Sequence, residues 1–129
     1  MKSASLRSIV GALCGKRVLI VGDVMLDEYI WGRVSRISPE APVPVVAVER
    51  VSYMAGGAAN AANNIIGLGG DAYLCGVIGD DDSGRKLAGI LAAEKLGLDG
   101  LVVDSQRPTT LKTRIVAQNQ YVVRADRET

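Results

Sequence analysis

Apolar residues follow two alternating patterns along most of the chain. Continuous apolar runs cover residues 17–22, 72–78 and 101–103. Runs of this kind are typical of strands buried on both faces of a parallel sheet. Segments with apolar or small residues at helical spacing cover residues 8–14, 57–68 and 84–96. Strands that alternate with helices in this order predict a layered α/β fold.

The ends of the predicted helices are marked by specific residues. Gly15, Gly69 and Gly97 follow the helical segments and predict where each helix ends. Asp82 or Ser83 is the expected N-cap of the third helix, because both side chains can accept a hydrogen bond from the first turn.

Two further segments predict a small β-sheet outside the core. Short β-like runs at residues 29–31 and 45–48 flank an irregular stretch, residues 35–44, that holds three of the four prolines. Those prolines exclude a helix and a central strand there. Residues 110–117 and 121–125 alternate around a turn near Asn119 and predict a hairpin. We expect residues 16–27 and 55–108 to form the α/β core, and residues 28–54 and 109–126 to form the outer strands.

Composition excludes several classes of function. The 129 residues predict one domain or part of one, and 48% hydrophobic residues predict a packed core. Lys and Arg number 15 against 14 Asp and Glu, a net charge of +1 that selects neither nucleic acid nor an anionic membrane. The absence of histidine excludes His-based triads and His–zinc sites within these residues. We therefore predict no metal site and no nucleic-acid or membrane partner.

The cysteines and the first residues bear on location. Cys14 and Cys75 form no CxxC motif, and we predict two small buried thiols in a reducing compartment. No apolar stretch approaches the roughly 20 residues that a bilayer requires. Charged residues and glycines such as Arg7 and Gly11 interrupt the first 16 residues, so no signal peptide is predicted and we expect a cytoplasmic protein.

Two carboxylates follow the first predicted strand. In open α/β sheets, ligands bind beyond the carboxyl ends of strands. Asp23 and Asp27 lie there, and carboxylates accept hydrogen bonds from vicinal hydroxyls, so the pair is a candidate polyol clamp. The alternative is that these aspartates only cap local backbone N–H groups in a turn.

A glycine pair and three cations are the other candidates. Gly56 and Gly57 precede a helix whose first turn carries Asn60, an arrangement that suits close backbone approach to a ligand or plain helix capping. No Walker A or dinucleotide motif accompanies the pair. Lys112 and Arg114 lie two residues apart, hence on one strand face, and Arg36 lies in the proline-rich segment. These cations could hold a phosphate, or they could be solvated surface charges.

The glycine pattern extends into a long gapped motif. Residues 56–62, then Gly69 and Gly79, resemble the first signature of the ribokinase-like (PfkB) sugar kinases. Residues 21–27, 35–45 and 110–116 are similar to the branch of that family that phosphorylates heptose 7-phosphate, often fused to an adenylyltransferase. The resemblance covers about residues 16–126. It implies a ribokinase-like, Rossmann-like α/β sandwich with a small β-sheet lid.

The resemblance also implies a reaction. Such kinases transfer the γ-phosphoryl of Mg-ATP to the anomeric hydroxyl of D-glycero-D-manno-heptose 7-phosphate, towards ADP-heptose and lipopolysaccharide. Their second signature, a Gly-x-Gly-Asp motif with the catalytic base, has no match in these residues. The chain is therefore expected to be the N-terminal, sugar-binding part, inactive alone, with the ATP and Mg²⁺ sites mostly in a later half.

Site roles follow from the same resemblance. Asp27 is expected to be the main sugar ligand, ahead of Asp23. The other expected ligands are Gly56, Gly57 and Asn60 for the sugar, and Lys112, Arg36 and Arg114 for the phosphate. No residue of the chain is assigned to catalysis. The lid strands are expected to pair two subunits into a homodimer. The alternatives are another sugar or nucleoside kinase of the family, and a non-catalytic sugar-phosphate-binding module.

Overall fold

The computed structural model describes residues 3–129 and shows a layered α/β architecture. Helices and strands alternate through the first two thirds of the chain, and a hairpin follows, as the sequence pattern predicts. In chain order the elements are α1 (Ser3–Gly11), β1 (Arg17–Val21), β2 (Val24–Ile37), β3 (Pro44–Gly57), α2 (Ala58–Gly67), β4 (Asp71–Gly79), α3 (Asp82–Ala93), β5 (Leu101–Asp104), β6 (Thr110–Ala117) and β7 (Gln120–Arg127).

The strands form two sheets. The first is a three-stranded parallel sheet in the order β1-β4-β5. The second, which we call the outer sheet, has four strands in the order β3-β2-β6-β7, in which β2 and β6 are parallel and the outer pairs are antiparallel. The predicted hairpin thus joins the sheet that β2 and β3 begin, and Asp27 lies opposite Lys112 across the parallel pair.

The hydrophobic core lies between the two sheets and the helices α2 and α3. Ala59 and Ala62 of α2 and Leu87 and Leu91 of α3 are all fully buried. The alanines let α2 approach the sheet closely, as the small side chains of this segment predict. Leu26 of β2 is buried in the same cluster, so the outer sheet and the parallel sheet share one core.

One face of the parallel sheet is open. Leu19 and Val21 of β1 are 64% and 74% exposed, and Tyr73 and Val102 on the neighbouring strands are also exposed. The prediction that these strands are buried on both faces is wrong for the described residues. An apolar run shows that both faces suit apolar neighbours, whereas the elements of this chain cover only one of them.

The cysteine prediction is also wrong. Cys14 is exposed in the turn after α1, and Cys75 is only partly buried on β4. Both are free thiols. Cys75 has the same parity along β4 as Tyr73, so it belongs to the uncovered face of the sheet.

Helix α1 spans Ser3–Gly11 rather than residues 8–14, and both ends of α3 also differ from the predictions. Asp81, not Asp82 or Ser83, is the N-cap of α3, and its carboxylate accepts a hydrogen bond from Gly84 N. Lys95, with φ 63°, takes the left-handed position after α3 that Gly97 was expected to mark. The Leu96 N–H then donates to Leu91 O and closes the helix two residues earlier than Gly97 could.

Strands β2 and β3 are longer than their sequence patterns indicate. Each has 14 residues, and only residues 38–43 between them are irregular. Pro44 is the first residue of β3, a sheet-edge position where its missing N–H costs no ladder hydrogen bond. Asp27 consequently lies within a strand, and Gly56 and Gly57 end one. None of the described helices has the length and apolar character needed to cross a membrane.

Candidate functional site

The glycine pair and the two aspartates meet where β1 ends and α2 begins. After Val21 the chain passes through Gly22 and Asp23 into β2, and β3 returns alongside it to Gly57. Met25 lies opposite Gly56, and the Ala58 N–H donates to the Asp23 carbonyl oxygen at 2.9 Å. The start of α2 is therefore fastened to the segment that leaves the first strand.

The glycines are required by this close approach. Gly57 has φ 60°, and a Cβ on it would lie 2.4 Å from the Asp23 carbonyl oxygen. A Cβ on Gly56 would lie 2.6 Å from Oδ2 of Asp27. Larger residues would push β3 away from both aspartates. The pair thus has a structural role in holding Asp23 and Asp27 beside the start of α2, and Asn60 is exposed on the first turn of that helix.

Asp27 is held by Arg114 of the hairpin. Arg114 Nη1 lies 2.5 Å from Asp27 Oδ1, and both side chains are only 18% exposed. The guanidinium also lies 5.2 Å from the centroid of the Tyr29 ring. The hydrogen bond to Asp27 raises the pKa of Arg114 above its usual value, so the guanidinium remains charged. An ion pair this well shielded orients the Asp27 carboxylate before any ligand arrives.

Lys112 forms ion pairs with carboxylates at the end of the hairpin. Its Nζ lies 3.0 Å from Asp126 Oδ2 and 3.0 Å from Glu128 Oε2. These hydrogen bonds, the one to Asp126 first, raise the pKa of Lys112. Both predicted cations of the hairpin therefore already have anionic partners within the chain.

The structure brings together most of the predicted site residues. Asp27, Gly56, Lys112 and Arg114 share one region of the outer sheet, and Asp23 and Gly57 adjoin it. Arg36 does not join them. It lies on β2 opposite Val45, nine residues beyond Asp27, which is about 30 Å along an extended strand.

A buried cluster of hydrogen bonds beside the site, centred on Thr109, was not predicted. Thr109 is 1% exposed; its Oγ1 accepts from Gly79 N at 2.8 Å and donates to Asp81 Oδ1 at 2.7 Å. Thr109 N donates to Asp81 Oδ2 at 2.9 Å. Burial raises the pKa of Asp81, but the hydrogen bonds from Thr109 and Gly84 outweigh it and hold the pKa below its usual value. These hydrogen bonds connect the loop before β6 to the loop before α3.

The loop before β6 also carries Arg107, which lines a cleft of about 340 Å³. The cleft lies beside the carboxyl end of β1, the position at which α/β sheets bind ligands. Its lining includes Val21, Asp23, Val77, Val102, Arg107 and Thr110. Nothing in the spacing of the sequence marked Arg107, because a single arginine before a proline has no periodic partner.

Comparison with known proteins gives a consistent family. The model of the pfkB family carbohydrate kinases matches residues 16–128. The chain is 50% identical over 113 residues to the bifunctional protein HldE of Helicobacter pylori strain HPAG1, which covers 88% of this chain and 24% of that protein. It is 52% identical over 124 residues to the bifunctional protein HldE of Caulobacter sp. strain K31, covering 96% of this chain and 25% of that protein.

Solved structures agree in fold. A putative ribokinase from Agrobacterium tumefaciens superimposes with a TM-score of 0.72 at 27% identity, over 88% of this chain and 36% of that one. Arabidopsis thaliana ribokinase, complexed with ribose and ATP, superimposes with a TM-score of 0.65 at 18% identity, over 90% of this chain and 36% of that one. The predicted ribokinase-like fold is confirmed. The chain spans about a quarter of the length of the curated relatives it matches.

Proposed function

This chain belongs to the pfkB family of carbohydrate kinases, and on that premise we propose that it is the sugar-binding part of a kinase acting on D-glycero-D-manno-heptose 7-phosphate. The proposed reaction transfers the γ-phosphoryl group of ATP to the anomeric hydroxyl. The product, heptose 1,7-bisphosphate, would lead to ADP-heptose and lipopolysaccharide. Support comes from the identity of about one half with the bifunctional HldE proteins and from residues 21–27 and 35–45.

The observation that carries the sugar-binding role is the held carboxylate of Asp27. Arg114 orients one of its oxygens, and Gly56 leaves room for the other. A carboxylate held in place suits sugar hydroxyls, because hydrogen bonds to charged groups are the stronger ones. Asp23 and Asn60 would add hydrogen bonds from the strand end and from the first turn of α2. Fixing the hydroxyl in line with the phosphoryl donor is the part of catalysis that these residues can supply.

We propose that the ATP and metal-ion sites of the kinase lie mostly outside these residues. The described part of the chain has no cluster of three or more His, Cys, Asp or Glu side chains that could hold a metal ion. The carboxylates at the site have other partners, since Asp27 binds Arg114 and Asp81 binds Thr109. These residues therefore do not fit a Mg²⁺ site. We place the ATP-binding half of the kinase outside residues 1–129, and the protein in the cytoplasm, where ATP is available.

We propose that residues 28–54 and 109–126, which make up most of the outer sheet, are the lid of the sugar site. Asp27 and Arg114 lie at its junction with the core, where closure would exclude water from the sugar. For the 7-phosphate, the sequence favours Lys112, Arg36 and Arg114. Lys112 and Arg114 lie near Asp27 but are already paired with carboxylates, and Arg36 is remote.

We further propose a homodimer formed through the lid strands. The outer sheet has two edge strands, β3 and β7, and exposed apolar residues on them include Val48, Val51 and Val123. Edge strands with apolar side chains are suited to pairing with another chain. We expect light scattering after size exclusion to give a dimer, and Val51→Lys to shift it to a monomer. Leu68→Lys, an equal change at an exposed site after α2, is the control; a monomeric parent would contradict the proposal.

A substrate panel tests the proposed function. In a catalytically complete protein that includes this chain, we expect heptose 7-phosphate to have a kcat/KM at least a hundredfold above ribose, fructose 6-phosphate or a nucleoside. Phosphorus NMR of the product should show a new phosphate at the anomeric carbon. Preference for another sugar or a nucleoside would identify a different kinase of the family. Binding without any phosphorylation would identify a non-catalytic module.

A further inference from the structure

Arg107 has a buried nitrogen with nothing to bind. Its Nε is shielded from solvent and has no hydrogen-bond partner, and among the described residues it is the one such side-chain atom. No ion pair of the described residues involves Arg107 either. Arg107 as a whole is only partly buried, but an N–H donor that is shielded from solvent without an acceptor loses solvation that nothing compensates. A ligand with an anionic acceptor would compensate for this lost solvation.

The backbone around Arg107 is fixed on both sides. A Cβ on Gly79 would lie 2.5 Å from the Arg107 carbonyl oxygen, so β4 packs directly against this loop. Two residues on, Thr109 is locked to Asp81 through its N–H and its hydroxyl. The base of the Arg107 side chain is therefore positioned in advance, which lowers the entropy that binding would cost.

Arg107 shares its cleft with groups that suit a sugar. Asp23 and Thr110 provide a carboxylate and a hydroxyl, and Val21, Val77 and Val102, on the uncovered face of the parallel sheet, provide an apolar side that is open to solvent. Thr110 lies opposite Met25, two residues before Asp27 on β2, so the cleft lies about 7 Å from Asp27 along that strand. A ligand with hydroxyls at one end and an anion at the other could contact Asp27 and Arg107 together.

The other cations near the site are less available. Lys112 has two carboxylate partners, and Arg114 is bound to Asp27. A phosphate at either position would have to displace or face an existing anion. Arg107 needs no such exchange, and its planar fork of N–H donors matches a phosphate in two-point contact.

We propose that Arg107 binds the phosphate group of the sugar phosphate, with the phosphate on the Arg107 side of the cleft and the hydroxyls towards Asp23 and Asp27. This inference rests on the proposed function and names the residue that selects phosphorylated over unphosphorylated heptose. Lys112, the candidate from sequence, is the rival that the experiment compares.

The test measures KM and equilibrium affinity for heptose 7-phosphate and for unphosphorylated heptose in the catalytically complete protein. We expect Arg107→Gln to raise the KM and the Kd for heptose 7-phosphate at least tenfold and to change those for unphosphorylated heptose less than twofold. Arg107→Lys should recover part of the loss, because it keeps the charge without the fork. Lys112→Gln is the direct comparison, and Arg17→Gln, an exposed cation at the start of β1, controls for net charge.

The outcomes separate this inference from the proposed function. If the parent protein does not prefer heptose 7-phosphate, both fail. If the parent has the preference and Arg107→Gln weakens both sugars equally or neither, only the role of Arg107 is overturned. The same holds if Lys112→Gln alone reproduces the phosphate-selective loss. Should Arg107→Gln fail to fold by circular dichroism, Arg107→Lys decides: its loss must be confined to the phosphorylated sugar.

Discussion

The 129-residue chain by itself is expected to show no turnover of ATP with heptose 7-phosphate. The Gly-x-Gly-Asp motif, to which the family resemblance assigns the catalytic base and the anion hole, does not occur in residues 1–129. A positioned base contributes about 10²–10⁴-fold to rate, and a single oxyanion-hole donor about 10²–10³-fold. Their combined absence should leave the rate at that of buffer. A coupled assay for ADP release, run against a buffer blank, measures it.

The control for that result is binding. The same chain should still bind heptose 7-phosphate in calorimetry, because Asp27, Arg114 and the Arg107 cleft are all present. Turnover above the blank would show that a base and a nucleotide site lie within these residues. The division of the kinase into a sugar-binding part and a nucleotide-binding part would then be wrong.

Asp27→Asn should lower kcat/KM of the catalytically complete protein by about 10- to 150-fold. The expected loss is that of a hydrogen bond to a charged group, about 1.5–3 kcal/mol. The substitution keeps the shape of the side chain but removes the charge that both Arg114 and a sugar hydroxyl bind. Steady-state kinetics with heptose 7-phosphate measure the change. Asp23→Asn is expected to lower kcat/KM less, because Arg114 orients the Asp27 carboxylate and no ion pair of the described residues orients that of Asp23.

A double-mutant cycle separates substrate binding from the ion pair. Arg114→Gln removes the pair but leaves the Asp27 carboxylate available to a hydroxyl. If Asp27 acts only through Arg114, the two single variants will lose the same activity and the double variant no more. If Asp27 binds the sugar, Asp27→Asn will cost more than Arg114→Gln. Full activity in Asp27→Asn with the fold intact would remove Asp27 from the site.

Several parts of the site were predictable because they depend on neighbours in sequence. Asp23 lies between β1 and β2, beyond a strand end where such sheets bind ligands, whereas Asp27 lies within β2, whose full length the sequence pattern did not predict. The glycine pair before α2 was also found, although its immediate structural reason is the space taken by Asp23 and Asp27. Period-two alternation placed Lys112 and Arg114 on one strand face. It could not show that each faces a carboxylate, because alternation specifies a face and no partner.

By itself, the sequence determined the order of helices and strands, the turn at Asn119 and the small-residue face of α2. These features follow from spacing and turn chemistry within a few residues. Only the tertiary structure decided that β6 lies parallel to β2, which brings Arg114 to Asp27 across 87 positions. It also decided that Asp81 caps α3, since Thr109 stabilises that carboxylate from 28 positions away. The tertiary structure also placed Arg107 in a cleft and left its Nε without a hydrogen-bond partner. A polar group's partner is set by which distant strands and loops pack against it, and that packing is a property of the whole core.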